Sequence, residues 1–81
     1  MYSCLATYRD NNFCAGTEDG WVHFFQYDAD KKNFYWLRSW TCMEIKFTKI
    51  MCLVTHEQSK AEVELAICAK SENIVHLNIQ K

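Results

Sequence analysis

The most informative segment of this 81-residue chain reads Ala15-Gly16-Thr17-Glu18-Asp19-Gly20-Trp21-Val22-His23-Phe24-Phe25. Its centre, Asp19-Gly20, separates two apolar runs, and Asp-Gly in that setting is a strong signal for a β-hairpin. The turn that joins such strands needs positive φ angles, which glycine adopts without steric cost. The segment therefore predicts two antiparallel strands joined at Gly20.

Short strands of the same kind are predicted on both sides of this hairpin. Polar clusters of turn residues separate segments that have strand lengths and are rich in aromatic and β-branched residues. The predicted strands cover residues 2–8, 13–17, 21–27 and 34–40. The chain has no proline and only two glycines, so its other turns must come from Asp, Asn, Ser, Glu and Lys. The predicted fold class is an all-β meander of antiparallel strands.

The second half of the chain has strand periodicity with one ambiguous stretch. Met43, Ile45 and Phe47 alternate with polar neighbours, which is the period of a strand. Residues 50–54 are apolar at every position, which indicates a strand covered on both sides. Residues 59–71 fit a helix or a strand equally well on local pattern and propensity.

An internal repeat resolves that ambiguity in favour of a strand. Residues 3–8 share Cys, Leu and Thr with residues 51–56 at an offset of 48, and Val-His recurs further on at an offset of 53. In this alignment Asn73 matches Gly20, and asparagine is the next-best residue for a left-handed turn position. The larger second offset places an insertion in a loop, where insertions are tolerated. The repeat predicts a strand at residues 65–69.

The segment from Tyr2 to Phe25 resembles a blade of the WD-repeat β-propeller family. In that family an apolar strand leads through a polar turn into a strand of small residues, then into an Asp-Gly hairpin and a third, apolar strand. The resemblance implies that Thr17 and Asp19 occupy two positions of the polar network that stiffens many blades. Phe25 replaces the tryptophan of that network, and no histidine fits its remaining position.

Chain length limits what this resemblance implies about architecture. A propeller of this family needs roughly four to eight blades of about 40 to 45 residues each. The resemblance implies that residues 1–40 form one blade and residues 41–81 an incomplete second blade, both part of a larger propeller. A free-standing β-domain of seven strands is the alternative architecture.

Charge and hydropathy argue against two classes of partner. Lys plus Arg is 9 and Asp plus Glu is 10, which gives a formal net charge of −1, whereas nucleic-acid binding normally needs a basic excess. The longest uninterrupted apolar runs have five residues, far fewer than a membrane span requires. The start of the chain also lacks the pattern of a secretory signal. We therefore expect neither a nucleic-acid partner nor a membrane partner.

The cysteines and histidines point to structural roles. The five cysteines, at positions 4, 14, 42, 52 and 68, are odd in number and lack Cys-x-x-Cys spacing, which disfavours a disulfide framework and a zinc site. Each lies in an apolar stretch where a free thiol is expected to be buried, as in an intracellular protein. The family resemblance implies a location in the cytoplasm or cytoskeleton, the cilium included. His23 and His76 are expected to lie too far apart to share a metal. We predict no catalytic residue, no metal ligand and no cofactor.

The aromatic residues supply the candidate interface. Most of them are expected to pack between blades, while some anchor a partner, because tryptophan and tyrosine dominate binding hot spots. The candidate interface residues are Trp21, His23, Phe25, Trp36 and Trp40. Family resemblance implies a non-enzymatic scaffold that binds other protein subunits and the remaining blades. The alternative is a small β-domain that uses a Cys/His pair for catalysis or its aromatic surface to bind single-stranded nucleic acid.

Overall fold

A computed structural model describes residues 1–80, and this range contains seven β-strands. The strands are β1 Tyr2–Tyr8, β2 Asn12–Thr17, β3 Val22–Asp28, β4 Asn33–Trp40, β5 Ile50–Glu57, β6 Glu62–Ala69 and β7 Ile74–Gln80. β1 to β4 form a four-stranded sheet and β5 to β7 a three-stranded sheet, each antiparallel and in sequence order. The predicted all-β meander is confirmed, including the strand at residues 65–69. No helix capable of crossing a membrane is found in residues 1–80.

The hydrophobic core lies between the two sheets. In β6 the residues Val63, Leu65, Ile67 and Ala69 are buried, while the residues between them are not. This period of two is that of a strand with one face on a core. The largest fully buried side chains are Phe24, Ile45, Ile50, Leu65, Ile67, Val22, Val63 and Cys14. Each large apolar side chain in this set stabilises the fold by roughly 1.5–3 kcal/mol relative to exposure.

Across the two sheets, β1 and β5 are in the closest backbone contact. Ser3 Oγ donates a hydrogen bond to Ile50 O at 2.6 Å, and Thr55 Oγ1 donates one to Thr7 O at 2.8 Å. The earlier residue of β1, Ser3, contacts the earlier residue of β5, Ile50, and the later residues contact each other. β1 and β5 therefore lie side by side and run in the same direction. Side-chain hydroxyls thus join the two sheets at a seam that contains no ladder of backbone hydrogen bonds.

Strand pairing gives an equivalence between the two sheets. Tyr2 pairs with Thr17 in the first sheet and Ile50 pairs with Ala69 in the second, each beside a register shift. The first strands of the two sheets are therefore offset by 48 residues and the second strands by 52. The difference of four residues lies in the loop between β5 and β6, where the sequence repeat predicts an insertion.

The two hairpins share this offset of 52, which differs by one from the offset in the sequence repeat. Gly20 has a φ of 89° and Glu72 a φ of 71°, so these two residues hold the same left-handed position. Backbone hydrogen bonds make Asn73 equivalent to Trp21 and not to Gly20. The Val-His match is therefore out of register by one residue. Turn geometry sets the register of a hairpin, and a shared dipeptide does not.

The connector between β4 and β5 is a compact turn, not the strand that its alternation predicts. Phe47 has a positive φ of 68°, which strand geometry excludes, and its N–H donates to Asp19 O at 2.9 Å. Ile45 is fully buried and closes one end of the core, whereas Met43 and Phe47 are exposed. The alternation of apolar and polar residues in this segment therefore does not indicate a strand, because only the side chain of Ile45 is buried.

β5 is covered on one face only, so the prediction of cover on both sides is wrong. Ile50 and Leu53 are buried in the core, whereas Met51 and Val54 are each more than half exposed. The strand is apolar on both faces because its second face is an apolar surface that lies open among residues 1–80. The first sheet also has an open face.

Candidate interaction surface

The open face of the first sheet carries a cluster of aromatic side chains. Cross-strand pairing places Leu5, Ala15 and His23 in one row across three strands. The next row brings Phe13 and Phe25 together. We call this surface the aromatic face and define it by six residues. They are Tyr2, Leu5, Phe13, Phe25, Phe34 and Trp36.

Contacts within the aromatic face are mostly between rings. Phe25 stacks on Phe13 with ring centroids 5.0 Å apart, and Tyr2 meets Phe25 edge-on at 6.2 Å. Phe34 meets Phe13 edge-on at 5.6 Å. The rings line an open groove of about 520 Å³ with an almost entirely apolar surface. Large exposed apolar surfaces are typical of protein-interaction sites and ligand grooves.

A polar network holds Trp36 at the edge of this face. His23 Nδ1 is hydrogen-bonded to Ser39 Oγ, and Trp36 Nε1 donates to the same oxygen at 3.0 Å. The Ser39 hydroxyl therefore links the indole of Trp36 to the imidazole of His23. The network fixes the indole ring while 62% of Trp36 stays exposed.

A β-bulge explains why the sequence does not predict this network. Regular alternation would place Trp36 and Ser39 on opposite faces of β4. The register of β4 shifts between Phe24 and Phe25, so that Trp36 pairs with Phe25 while Ser39 pairs with His23. The extra residue in the bulge brings both side chains to the aromatic face. No local sequence signal marks the position of this bulge.

The five candidate interface residues lie in three places. His23, Phe25 and Trp36 are brought together on the aromatic face. Trp40 lies on the opposite face of the first sheet and packs, half-buried, against the core. Trp21 is half-buried in the hairpin before β3. Sequence reasoning did not select four members of the aromatic face, namely Tyr2, Leu5, Phe13 and Phe34. Alternation along β4 would have placed Phe34 beside Trp36.

The hairpin before β3 is stabilised by its own side chains. Thr17, which is buried, donates its hydroxyl to the carboxylate of Asp19 and accepts the backbone N–H of Trp21 at 3.0 Å. Gly20 lies against the connector, where an added Cβ would come within 2.2 Å of Ile45 O. Gly20 is therefore required both by the conformation of the turn and by the close approach of the connector backbone.

The connector is also bonded to both hairpins. Thr41 Oγ1 donates to Gly20 O at 2.6 Å, and Asn73 Nδ2 donates to Glu44 O at 2.7 Å. The asparagine thus acts through its side chain at the second hairpin, while Glu72 takes the left-handed backbone position. These bonds tie one end of each sheet to the same segment.

We expect the hairpin to contribute an acid-sensitive part of the stability. The hydrogen bond from Thr17 lowers the pKa of Asp19 below its usual value. A depressed pKa in the folded state gives stability above the unfolded pKa of about 3.9, and this stability is lost as pH falls through the folded pKa. Asp19→Asn should therefore lower the Tm at neutral pH but not in strong acid.

Thermal unfolding across this pH range checks the expectation. Glu18→Gln removes a neighbouring exposed carboxylate and controls for the loss of charge alone. An Asp19→Asn effect of equal size at every pH would show that the ionised carboxylate plays no part.

The five cysteines occupy different environments. All five are free thiols. Cys14 is fully buried, and burial raises its pKa to about 12. Cys52 is exposed, so the prediction that every cysteine is buried is wrong at this position. Cys68 pairs with Cys52 across β5 and β6, and a hydrogen bond to Cys52, together with burial, raises the Cys68 pKa. The raised pKa values of Cys14 and Cys68 keep these two thiols protonated and weakly nucleophilic.

Cys52 and Cys68 lie on the open face of the second sheet. The rest of this face is small, β-branched or polar, and His76 Nδ1 lies 3.5 Å from Glu64 Oε1. Across residues 1–80 there is no group of three or more His, Cys, Asp and Glu side chains arranged to hold a metal ion. This second open face therefore differs in chemistry from the aromatic face.

Comparisons with known proteins identify no relative. No protein-family model, no curated protein and no solved structure matches the chain. The resemblance to WD-repeat blades remains a prediction, and function has to be argued from the geometry of the two sheets.

Proposed function

We propose that this chain is a segment of a WD-repeat-like β-propeller and serves as a non-enzymatic scaffold in a multiprotein assembly. Residues 1–40 would form a complete blade, and residues 41–81 a blade that lacks its fourth strand. Its partners are other protein subunits and further blades. The proposed location is the cytoplasm or the cytoskeleton, the cilium included.

The way in which the two sheets stack carries this proposal. The covered face of the first sheet is equivalent to the open face of the second sheet, not to its covered face. The pairs of equivalent positions are Cys4 and Cys52, Ala6 and Val54, Cys14 and Ala66, Gly16 and Cys68, Val22 and Ile74, and Phe24 and His76. Five of the six residues on the open face are small or β-branched apolar residues or cysteines, as on the covered face.

Stacking of this kind favours a propeller over a closed two-layer domain. In a sandwich related by a two-fold axis, equivalent faces would meet in the core. Here unlike faces meet, and β1 and β5 lie side by side in the same direction. If each further sheet stacked on the previous sheet in this way, the sheets would lie around an axis with their first strands innermost. That is the arrangement of propeller blades.

The same equivalence predicts what covers the aromatic face. Leu5, Phe13 and Phe25 correspond to Leu53, Leu65 and Leu77 of the second sheet. Those three leucines pack in the core against the first sheet. The aromatic face therefore occupies the position of a protein-covered surface, and its rings are the residue types that dominate interface energetics.

Site-specific photocrosslinking in cells tests this function. A photoreactive phenylalanine analogue replaces Trp36 in the full chain, and the same analogue at Phe47 serves as the control. Both side chains are well exposed, but Phe47 lies in the connector, away from the aromatic face. We expect discrete protein adducts from position 36 and not from position 47. Nucleic-acid adducts at position 36, or the same adducts from both positions, would contradict the proposal.

A further inference from the structure

We propose that Cys52 and Cys68 form a redox-sensitive thiol pair, which a peroxide oxidises to a disulfide across β5 and β6. The pair is a covalent modification site on the open face of the second sheet. It lies within one sheet and away from the aromatic face, so the inference goes beyond the proposed function and does not depend on it.

A β-bulge brings the two thiols together. Ile50 pairs with Ala69, and both side chains are buried. After a shift in register, Cys52 pairs with Cys68. Regular alternation would place Cys52 on the core face with Ile50. The extra residue in the bulge, Met51, instead turns Cys52 to the open face, where Cys68 also lies.

The distance across this pair suits a disulfide. Residues directly opposed in antiparallel strands have Cα atoms about 4.5–5.5 Å apart, and disulfides join Cα atoms roughly 4.4–6.8 Å apart. The two thiols are also in contact, since a hydrogen bond to Cys52, together with burial, raises the pKa of Cys68. The pair can therefore be bridged without a large movement of the backbone.

The first sheet shows that side chains at these two positions meet. Cys4 is the equivalent of Cys52, and it also follows a register shift. Gly16 is the equivalent of Cys68. An added Cβ at Gly16 would lie 2.8 Å from Cys4 Sγ. A side chain at the second position is therefore directed at the sulfur atom of the first.

A close second layer does not fit over the two thiols. Ile50 packs on Gly16 in the first sheet, where an added Cβ would lie 2.6 Å from Ile50 Cγ2. Cys68 already has a side chain at the equivalent position of the second sheet. A further sheet stacked in the same way would have to leave room at this point. Hydrogen peroxide is little larger than water, so its reaction with the pair needs no more than this room.

The exposure of the two thiols sets the order of the chemical steps. Cys52 is exposed and Cys68 is half-buried, so Cys52 meets the peroxide first. The Cys52 thiolate attacks one oxygen of hydrogen peroxide, the O–O bond breaks, and the hydroxide that leaves takes up the thiol proton as water. The resulting sulfenic acid is then attacked by the sulfur of Cys68. The S–S bond forms, the S–O bond breaks, and a second water leaves with the proton of Cys68. The two thiols lose two electrons and the peroxide gains them.

Peptide mapping of the full chain after peroxide treatment tests the inference. Trypsin cleaves after lysine and arginine, and these residues place each of the five cysteines in a separate peptide. Free thiols are alkylated in denaturant before digestion. We expect residues 50–60 to be disulfide-linked to residues 61–70, with an equal loss of alkylated Cys52 and Cys68. Cys14 and Cys42 should stay alkylated, and a dithiol reductant should remove the link, because exposed disulfides are labile.

Three single variants locate the reaction. Cys52→Ser should abolish the linked species. Cys68→Ser should also abolish it, but should leave Cys52 as a sulfenic acid that dimedone captures. Cys42→Ala removes a half-buried thiol outside the pair and should leave the linked species unchanged. Circular dichroism of each variant checks that it is folded before oxidation.

Three outcomes would overturn the inference. One is a link from Cys52 to Cys4 or to another cysteine in place of Cys68. Another is a link whose yield rises with protein concentration, since the disulfide would then join two chains. The last is full retention of alkylated Cys52 at a peroxide concentration that oxidises the same chain in denaturant. Failure of crosslinking at position 36 would count against the proposed function and leave the thiol pair untouched.

Discussion

Gly20→Ala is expected to lower the free energy of unfolding by about 2–5 kcal/mol, more than any other single-methyl substitution proposed for this chain. The φ of 89° costs an L-residue roughly 1–2 kcal/mol. The new Cβ would also lie 2.2 Å from Ile45 O, a backbone atom that no change of rotamer can move. Relief would require the connector to shift, and Ile45 would then leave the core.

Glu72→Gly provides the reciprocal control, because Glu72 holds the equivalent left-handed position in the second hairpin. Removal of its side chain should stabilise the fold by up to about 1 kcal/mol, since glycine has no penalty there. Chemical denaturation of the two variants measures both effects. Destabilisation by Glu72→Gly of the same size as that by Gly20→Ala would show that the two hairpins are not equivalent.

Gly16→Ala is expected to destabilise the fold by roughly 1–3 kcal/mol, through overpacking at the seam between β1 and β5. A Cβ at this position would lie 2.6 Å from Ile50 Cγ2 and 2.8 Å from Cys4 Sγ. Ile50 is fully buried and cannot move away without disturbing the core. The strain therefore comes from packing, and the backbone conformation of glycine is not its cause.

The equivalent position in the second sheet supplies the matched control. Cys68 corresponds to Gly16 and lies half-buried on the open face. Cys68→Ala should change stability by no more than about 0.5 kcal/mol, because no second layer packs on it. Thermal unfolding of both variants checks the pair. A larger effect at Cys68 than at Gly16 would mean that the open face is covered in the purified protein.

The prediction of strands succeeded because local signals agreed with one another. β1 was predicted at the observed residues, and the other strands of the first sheet within one or two residues. Turn residues and apolar segments of strand length contain this information. Residues 65–69 were ambiguous alone and were assigned through the repeat with the first hairpin. The agreement between the internal repeat and the hairpin pattern identified that strand, whereas residue propensity did not.

Register and face assignment were the parts that local signals could not supply. The Val-His match shifted the second hairpin by one residue, and a slip of one reverses every side chain between faces. The bulge in β4 moved Trp36 onto the face of Ser39 in the same way. Which face of a strand is covered depends on a second sheet far away in sequence. Alternation identifies two faces but does not say which of them is buried.

The stacking of unlike faces has a consequence for how the molecule can associate with itself. A copy that covers the aromatic face through its other open face leaves an aromatic face of its own exposed, so the contact is heterologous and does not end at a dimer. Such head-to-tail contacts either close into a ring or continue into a filament, according to the rotation between neighbours. Self-association through these two unlike faces would thus be governed by ring closure.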